Sequence, residues 1–414
     1  MEKKIIKERE ESRVEWEGLE EWLRGKMQGH IQDILEEEVT SLLGRARSER
    51  KTTVDGSEGY RNGYGKPRRL TLSNGTVEVR RPRVRGTADR FESRILPLFK
   101  RRSEQVDELL PELYLHGLAE GDFDLALRGL LGEKAPISAS SVARLKEKWH
   151  GELLAWQQRS LKDLEVAYLW ADGIYVKAGF DKEKAAVLVV LGALRDGTKV
   201  ILALRSGYRE STESWAELLR DLKGRGLRAP RLVIADGNLG LWGALAQVYP
   251  EAGEQRCWNH KIVNVLDRVP KKKHRQAKLF LRQIAYATTR DECEELKKKF
   301  TAWCEKQGCS DASRILDRDW ERMVTFFDFP AEHWQHLRTT NPVESPFAAL
   351  RLRTDAAKRF KKVENATAVI WKMLLVAERR FRRLKYPELV ELVFRGVRFI
   401  DGVIQSQQQE DAAA

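Results

Sequence analysis

Val166-Ala167-Tyr168-Leu169-Trp170-Ala171-Asp172-Gly173-Ile174-Tyr175-Val176 is apolar almost throughout, with one acid at its heart. Arg231-Leu232-Val233-Ile234-Ala235-Asp236 repeats the pattern, an apolar run that ends on an acid and is followed by Gly237. Short runs that are apolar at successive positions read as strands buried on both faces. Between them, Ala185 to Leu194 is a second strand, Arg195-Asp196-Gly197 a turn, and Thr198 to Leu204 a third strand. Ser211 to Leu227 is an amphipathic helix with Trp215, Leu218, Leu219 and Leu222 on one face. Leu239 to Tyr249 is a further helix, and Glu254 to Trp258 a short last strand. The order βββαβαβ predicts an α/β mixed sheet, an antiparallel meander with its first and fourth strands adjacent at the centre.

That order matches the layout of the ribonuclease H-like fold, and it would bring Asp172 and Asp236 together. A charged carboxylate inside a hydrophobic strand costs several kcal/mol unless a cation or hydrogen bonds compensate. Asp236-Gly237 also reads as an ordinary turn pair; for Asp172 that reading is weaker, because Ile174-Tyr175-Val176 resumes the strand at once. Hydrolysis with two metal ions needs acidic oxygens converging on ions roughly 4 Å apart, so a third carboxylate is required. Glu344 in Thr339-Thr340-Asn341-Pro342-Val343-Glu344-Ser345 is the candidate. With Asn341 as N-cap and Pro342 as first helical residue, Glu344 also falls at the capping-box position. Locally, cap and ligand are equal readings.

Upstream, residues 1–50 form a charged helical segment with Ile31, Ile34, Leu35, Leu42 and Leu43 at helical spacing. It reads as a dimerisation or DNA-binding arm, or as a solvated helix. Residues 51–100 hold a basic hairpin region: Tyr60 to Gly65 is turn-rich, and Arg68 to Leu72 and Thr76 to Arg80 flank Ser73-Asn74-Gly75. Arg61, Tyr64, Arg81 and Arg83 there suit contact with a DNA backbone or groove, or form an ordinary solvated edge, and the two readings are equal. In residues 101–160, Asp122 to Leu131, the Gly132 to Pro136 break and Ile137 to Leu145 suggest a helix-turn-helix that turns Ser140, Ser141 and Arg144 to DNA.

Downstream, residues 261–335 turn helical and basic, with Lys271 and Lys272 in a cationic run. Arg351, Arg353, Lys358 and Arg359 follow Glu344 and would lay a DNA backbone along the site, or form a solvated face. Trp258, Trp320 and Trp334 are candidate stacking platforms or core residues. Cys257 and His260 make a Cys-x-x-His, half a zinc site with no second half at suitable spacing.

Lys and Arg number 75 against 62 Asp and Glu, a net charge of +13, which favours a polyanionic partner. No run of about 18 apolar residues is present, so no membrane span is expected. The N-terminus carries no secretory signal, and four cysteines in 414 residues are too few for a disulfide scaffold. The expectation is a cytoplasmic, nucleoid-associated protein with reduced thiols.

Taken together, Arg61-Asn62-Gly63-Tyr64, the helix-turn-helix-like segment, Asp172 to Lys177, Asp236-Gly237, Gln255 to Leu266 and Thr339 to Glu344 resemble the bacterial mutator-type insertion-sequence transposases of the DDE recombinase superfamily. The likeness runs from about Tyr60 to about Tyr386. It implies that Asp172, Asp236 and Glu344 hold two Mg²⁺ (or Mn²⁺) ions, and that Cys257 and His260 are a signature near the site. It further implies a double-stranded DNA partner, both element terminal repeats and target, and a homodimer or higher homo-oligomer. The expected layout is a ribonuclease H-like core (161–260 and 336–390) split by an all-helical insertion (261–335). Mainly helical DNA-binding domains with a small β-hairpin precede it, and a tail (391–414) follows. A catalytically inactive, domesticated DNA-binding regulator is the alternative, favoured only if one acid of the triad were missing.

Overall fold

The computed structural model describes residues 16–50, 59–88, 90–97, 100–115, 126, 128, 131, 139–178, 184–207, 210–237, 239–356, 360 and 362–405. The chain divides into two units, Met1–Leu145 and Lys146–Ala414.

In the first unit, α1 (Leu19–Leu43) is followed by β1 (Tyr60–Tyr64), β2 (Arg68–Leu72), β3 (Gly75–Val79), β4 (Pro82–Arg85) and α2 (Glu104–Leu115). The expected hairpin is β2–β3, closed by the two residues Ser73 and Asn74 so that Leu72 faces Gly75. Gly75 has φ +120°, a conformation that favours glycine. One hairpin face, with Val77 and Val79, packs with Leu35 of α1 and with Leu96. The turn expected over Tyr60–Gly65 is instead mostly strand, β1, which pairs antiparallel with β4. Arg61 explains the difference. Its guanidinium donates to Thr40 Oγ1 (2.8 Å) and to the Arg45 carbonyl (3.1 Å), pinning the strand to the end of α1.

The second unit begins within α3 (Ala139–Gln157) and continues through β5 (Val166–Lys177), β6 (Lys184–Leu194), β7 (Lys199–Gly207), α4 (Thr212–Gly224), β8 (Leu232–Ala235), α5 (Leu239–Val248) and β9 (Gly253–Arg256). This is the expected βββαβαβ order. The sheet order is β7-β6-β5-β8-β9. β5, β6 and β7 are antiparallel neighbours, and β5, β8 and β9 run parallel. Ser211 N-caps α4 by accepting from the Ser214 N–H.

Both sheet faces are covered, which is why the strands read as continuous apolar runs. On one face Leu169, Ala171, Val233 and Ala235 pack with Trp215, Leu218, Leu219 and Leu222 of α4 and Leu241 and Leu245 of α5. Full burial of each such side chain stabilises the fold by roughly 1.5–3 kcal/mol. On the other face, the Tyr168 hydroxyl lies 2.9 Å from His333 Nδ1, and Trp170 Nε1 donates to the His336 carbonyl (3.0 Å).

From Trp258 to Leu337 the chain is helical: α6 (Trp258–Leu266), α7 (His274–Ala285), α8 (Arg290–Lys306), α9 (Ser310–Asp317), α10 (Trp320–Val324) and α11 (Trp334–Leu337), with short 3-10 turns between. Trp258 thus starts a helix rather than ending the last strand. Then come α12 (Asn341–Glu344), α13 (Phe347–Ala356), α14 (Val363–Glu378), α15 (Pro387–Arg395) and a two-residue hairpin, β10 (Phe399–Ile400) with β11 (Val403–Ile404). No helix among the described residues is long and apolar enough to cross a membrane.

Candidate active site

The parallel strands set the site. β5 and β8 pair up to Ala171↔Ala235, and β8 and β9 up to Ala235↔Arg256. One step further, at the C-terminal ends of β8 and β9, stand Asp236 and Cys257, with Asp172 beside them on β5. Neighbouring strands lie about 4.8 Å apart, so the register alone aligns these three residues in one row. The Cys257 N–H, bonded to the Ala235 carbonyl (2.7 Å), extends the ladder into that row. Open α/β sheets bind ligands outside the carboxyl ends of their parallel strands.

Glu344 comes to the row on α12, which packs on β5 and β6. The helix starts one residue earlier than its sequence suggests. Thr340 is the N-cap, and no side-chain cap bond is made. Glu344 is therefore not in a capping box. Its carboxylate accepts from the Thr340 hydroxyl, and its own N–H donates to the Thr340 carbonyl (3.0 Å). The Thr340 N–H donates to the Cys257 sulfur (3.3 Å), and the same sulfur lies 3.2 Å from the Thr340 hydroxyl oxygen, which ties the Glu344 helix to the β9 end of the row.

His260, one turn along α6, has its Nδ1 3.8 Å from Glu344 Oε1. The donor atoms of Cys257, His260 and Glu344 lie within 4.8 Å of one another, the tightest set of potential metal ligands among the described residues. Asp172 and Asp236 stand outside that set, close enough for their charges to be felt. Asn259 joins the cluster through its amide, which donates to Asn341 Oδ1 (3.1 Å).

The electrostatics are those of crowded acids. Burial pushes the Asp172 carboxyl up to about 7, and the charges of Asp236 and Glu344 add to it. The Gly173 N–H, donating to Asp172 Oδ1 at 2.8 Å, and the nearby His260 oppose the rise. His260 is raised to about 9 by the adjacent Cys257 sulfur, against its own burial, with Glu344 and Asp236 helping. The carboxylates of Asp172, Asp236 and Glu344, near enough to feel one another's charge, are partly desolvated hard oxygen donors. That chemistry fits Mg²⁺ or Mn²⁺.

Glu210 was not legible in the sequence. A methyl on Gly173 would collide with its carboxylate, and the same carboxylate hydrogen-bonds Tyr175 and helps to raise that phenol to about 12, after burial. The one local sign of it is Gly173 itself, since a glycine inside a strand often marks close approach of another group.

The other expected contact residues divide. Arg83, Arg144, Lys271, Lys272 and Arg351 are exposed. Tyr64 is 37% exposed and lies against Arg47. Arg61 is engaged in the fold as described, and Arg81 donates to the Phe91 carbonyl. Arg353 is only 2% exposed, so it sits in the interior rather than on a DNA-facing row. Ser140 and Ser141 lie in α3, but the first helix and the turn of the expected helix-turn-helix lie mostly outside the described residues, as do Lys358 and Arg359. Trp258, Trp320 and Trp334 are buried. They serve the core, where Trp258 and Trp320 meet edge to face at 6.1 Å.

Comparison with known proteins identifies the family. The family described as Transposase, Mutator family, matches residues 1–383. The chain belongs to the Mutator family of transposases. It is 44% identical over 297 residues to the transposase for insertion sequence element IS6120 of Mycolicibacterium smegmatis, covering 72% of this chain and 92% of the relative. It is 38% identical over 280 residues to the transposase for element IST2 of Acidithiobacillus ferrooxidans (67% and 94%). Over 360 residues it is 31% identical to the transposase for element ISRM5 of Rhizobium meliloti (86% of each). Sequence resemblance and family match thus agree that this is a transposase, and the alternative of an inactive regulator gains no support.

Proposed function

We propose that this transposase is a DDE enzyme. In this reading it binds the terminal inverted repeats of an insertion sequence, cleaves the DNA strand at the element end, and joins the freed 3′-hydroxyl to target DNA. The five-stranded sheet is then a ribonuclease H-like core, and Trp258 to Leu337 its helical insertion. Asp172, Asp236 and Glu344 would hold two divalent cations, Mg²⁺ or Mn²⁺. When bound, these supply Lewis-acid activation of the attacking oxygen and charge neutralisation at the phosphodiester. The chain's part is positioning. Strand register fixes the two aspartates, the Thr340 hydroxyl orients the Glu344 carboxylate, and His260 offers a cationic donor beside the row for a phosphate oxygen. Exposed Arg83, Arg144, Lys271, Lys272 and Arg351 would bind the duplex backbone. Because an element has two ends, a homodimer or higher oligomer is the working unit.

The observation that carries this reading is the Asp172–Asp236 alignment with Glu344 brought to it, felt as mutual charge at Asp172. The test is a labelled duplex from the DNA flanking this reading frame, incubated with Mg²⁺ or EDTA. Asp172→Asn, Asp236→Asn and Glu344→Gln should each abolish cleavage while end binding in gel shift persists. Mg²⁺-dependent cleavage surviving in any of them removes that residue from the metal site.

A further inference from the structure

Asp236 is not held by its strand alone. The turn that carries it is spanned by Arg256, the last residue of β9, whose Nε donates to the Asp236 carbonyl (3.2 Å). Gly237 has φ +100°, and a Cβ there would collide with the Arg256 guanidinium. The guanidinium therefore lies directly across the Asp236–Gly237 backbone. Its far nitrogen, Nη1, meets Asp319 Oδ2 at 2.5 Å. The two side chains are 11% and 12% exposed.

Asp319 belongs to the helical insertion, and its conformation serves this contact. It stands at the N-cap of α10 with φ +69°, and its side chain makes no cap bond. An N-cap aspartate ordinarily satisfies the first helical N–H groups; here the carboxylate is turned to cations. Besides Arg256 it faces Lys261 Nζ at 3.6 Å and Arg322 Nη1 at 3.5 Å. Lys261 is 1% exposed and donates to the Arg318 carbonyl. Nearby on α10, the Met323 carbonyl is held to the end of β9 and the start of α6, because Gln255 Nε2 and Trp258 Nε1 both donate to it (3.1 and 2.9 Å). A left-handed aspartate, a forgone cap and a nearly buried ion pair all converge on one arginine that grips the turn of a proposed metal ligand.

We infer that Asp319 is a positioning residue: acting through Arg256, it fixes the turn bearing Asp236 and so couples the helical insertion to the metal affinity of the site. This rests on the reading of Asp236 as a metal ligand. Groups that orient metal ligands from behind typically change metal affinity or activity about 10–100-fold when removed.

The test measures strand cleavage of the flanking-DNA duplex against Mg²⁺ concentration for the full chain, with end binding and melting temperature alongside. Asp319→Asn keeps size and tolerance of positive φ but removes the charge. It should raise the Mg²⁺ concentration for half-maximal cleavage about 10- to 100-fold, with end binding within about two-fold of the parent and with Mn²⁺ restoring more activity than Mg²⁺. Arg256→Lys keeps a cation beside Asp319 yet cannot span both contacts. It should shift the Mg²⁺ requirement the same way, and the double variant should be no worse than the more affected single one. Unchanged Mg²⁺ dependence in both singles overturns the inference, as does loss of end binding in parallel with cleavage. Asp236→Asn in the same assay separates the two levels. If it cleaves like the parent, the metal-ligand reading falls and this inference with it. If it is dead while Asp319→Asn and Arg256→Lys titrate like the parent, only this inference falls.

Discussion

Replacing Asp172 with asparagine should stabilise the metal-free protein while destroying its cleavage activity. The folded-state carboxyl sits at about 7 rather than 3.8, chiefly because burial disfavours its charge. A group whose pKa is raised by folding binds its proton more tightly in the native state. Its contribution is thus most favourable below about pH 4 and is lost as pH climbs through 7. Three units at about 1.4 kcal/mol each set a ceiling of about 4 kcal/mol above neutrality. Asp172 keeps some contact with solvent, so about 1–3 kcal/mol is the reasonable share. Asparagine is nearly isosteric, its amide oxygen can still accept from the Gly173 N–H, and it carries no charge for Asp236 and Glu344 to repel. At about 2 °C per kcal/mol for a unit of this size, the variant should melt roughly 2–6 °C above the parent at about pH 8 in EDTA. The gap should shrink towards pH 5, and saturating Mg²⁺ should narrow or reverse it, since the cation stabilises only the parent appreciably. Calorimetry or differential scanning fluorimetry at both pH values reads the effect. A variant that melts at or below the parent at pH 8 without metal would refute the premise that this acid is desolvated and crowded.

Three further outcomes follow from the geometry. Arg83→Ala should weaken binding to the flanking-DNA duplex and lower the slope of log affinity against log salt by about one, with little change in melting temperature. Arg61→Ala should do the reverse, costing about 1–3 kcal/mol because the hydroxyl and carbonyls it satisfies lose their donor; equal effects of the two on salt slope would contradict their separation into surface and fold. In the core, Leu219→Ala should cost about 2–5 kcal/mol, read by denaturant midpoint, because Leu219 is 1% exposed beneath the sheet; a loss under 1 kcal/mol would mean that the α4 face is not packed as described.

The sheet was legible because burial on both faces leaves an uninterrupted apolar record, and because βββαβαβ fixes which strands can neighbour one another. Asp172 was legible for the same reason: a charge is conspicuous where every neighbour is apolar. What could not be read were contacts made by side chains far apart in sequence. Arg61 looked like a surface cation because its hydrogen-bond partners at Thr40 and Arg45 lie on another element. Arg353 sits in a charged stretch whose sequence resembles a solvated face, yet it is interior. Asn-Pro is a strong capping signal that points to Asn341 as the N-cap of α12, one residue past the actual cap. The structure instead uses Thr340, whose side chain is committed to Cys257 and Glu344.

That displacement bears on how Glu344, 108 residues beyond Asp236 in sequence, could act with it in the proposed site. A glutamate in a capping box spends its carboxylate on the backbone N–H of the N-cap residue. With Thr340 as the cap, the carboxylate of Glu344 is released from the backbone and oriented by the hydroxyl of a residue whose own N–H is anchored on the sulfur of Cys257. Cys257 in turn continues the hydrogen-bond ladder of the sheet, through its N–H to Ala235, beside Asp236. In the proposed DDE reading, the third acid is thus indexed to the first two through the sheet rather than through the intervening chain. On that reading the helical stretch from Trp258 to Leu337 could vary in length without moving Glu344, provided it keeps its grip on β9. By this logic the Cys-x-x-His has a structural reason to sit at that strand end: Cys257 sets where Glu344 points, and His260, one turn on, sets what charge the carboxylate faces.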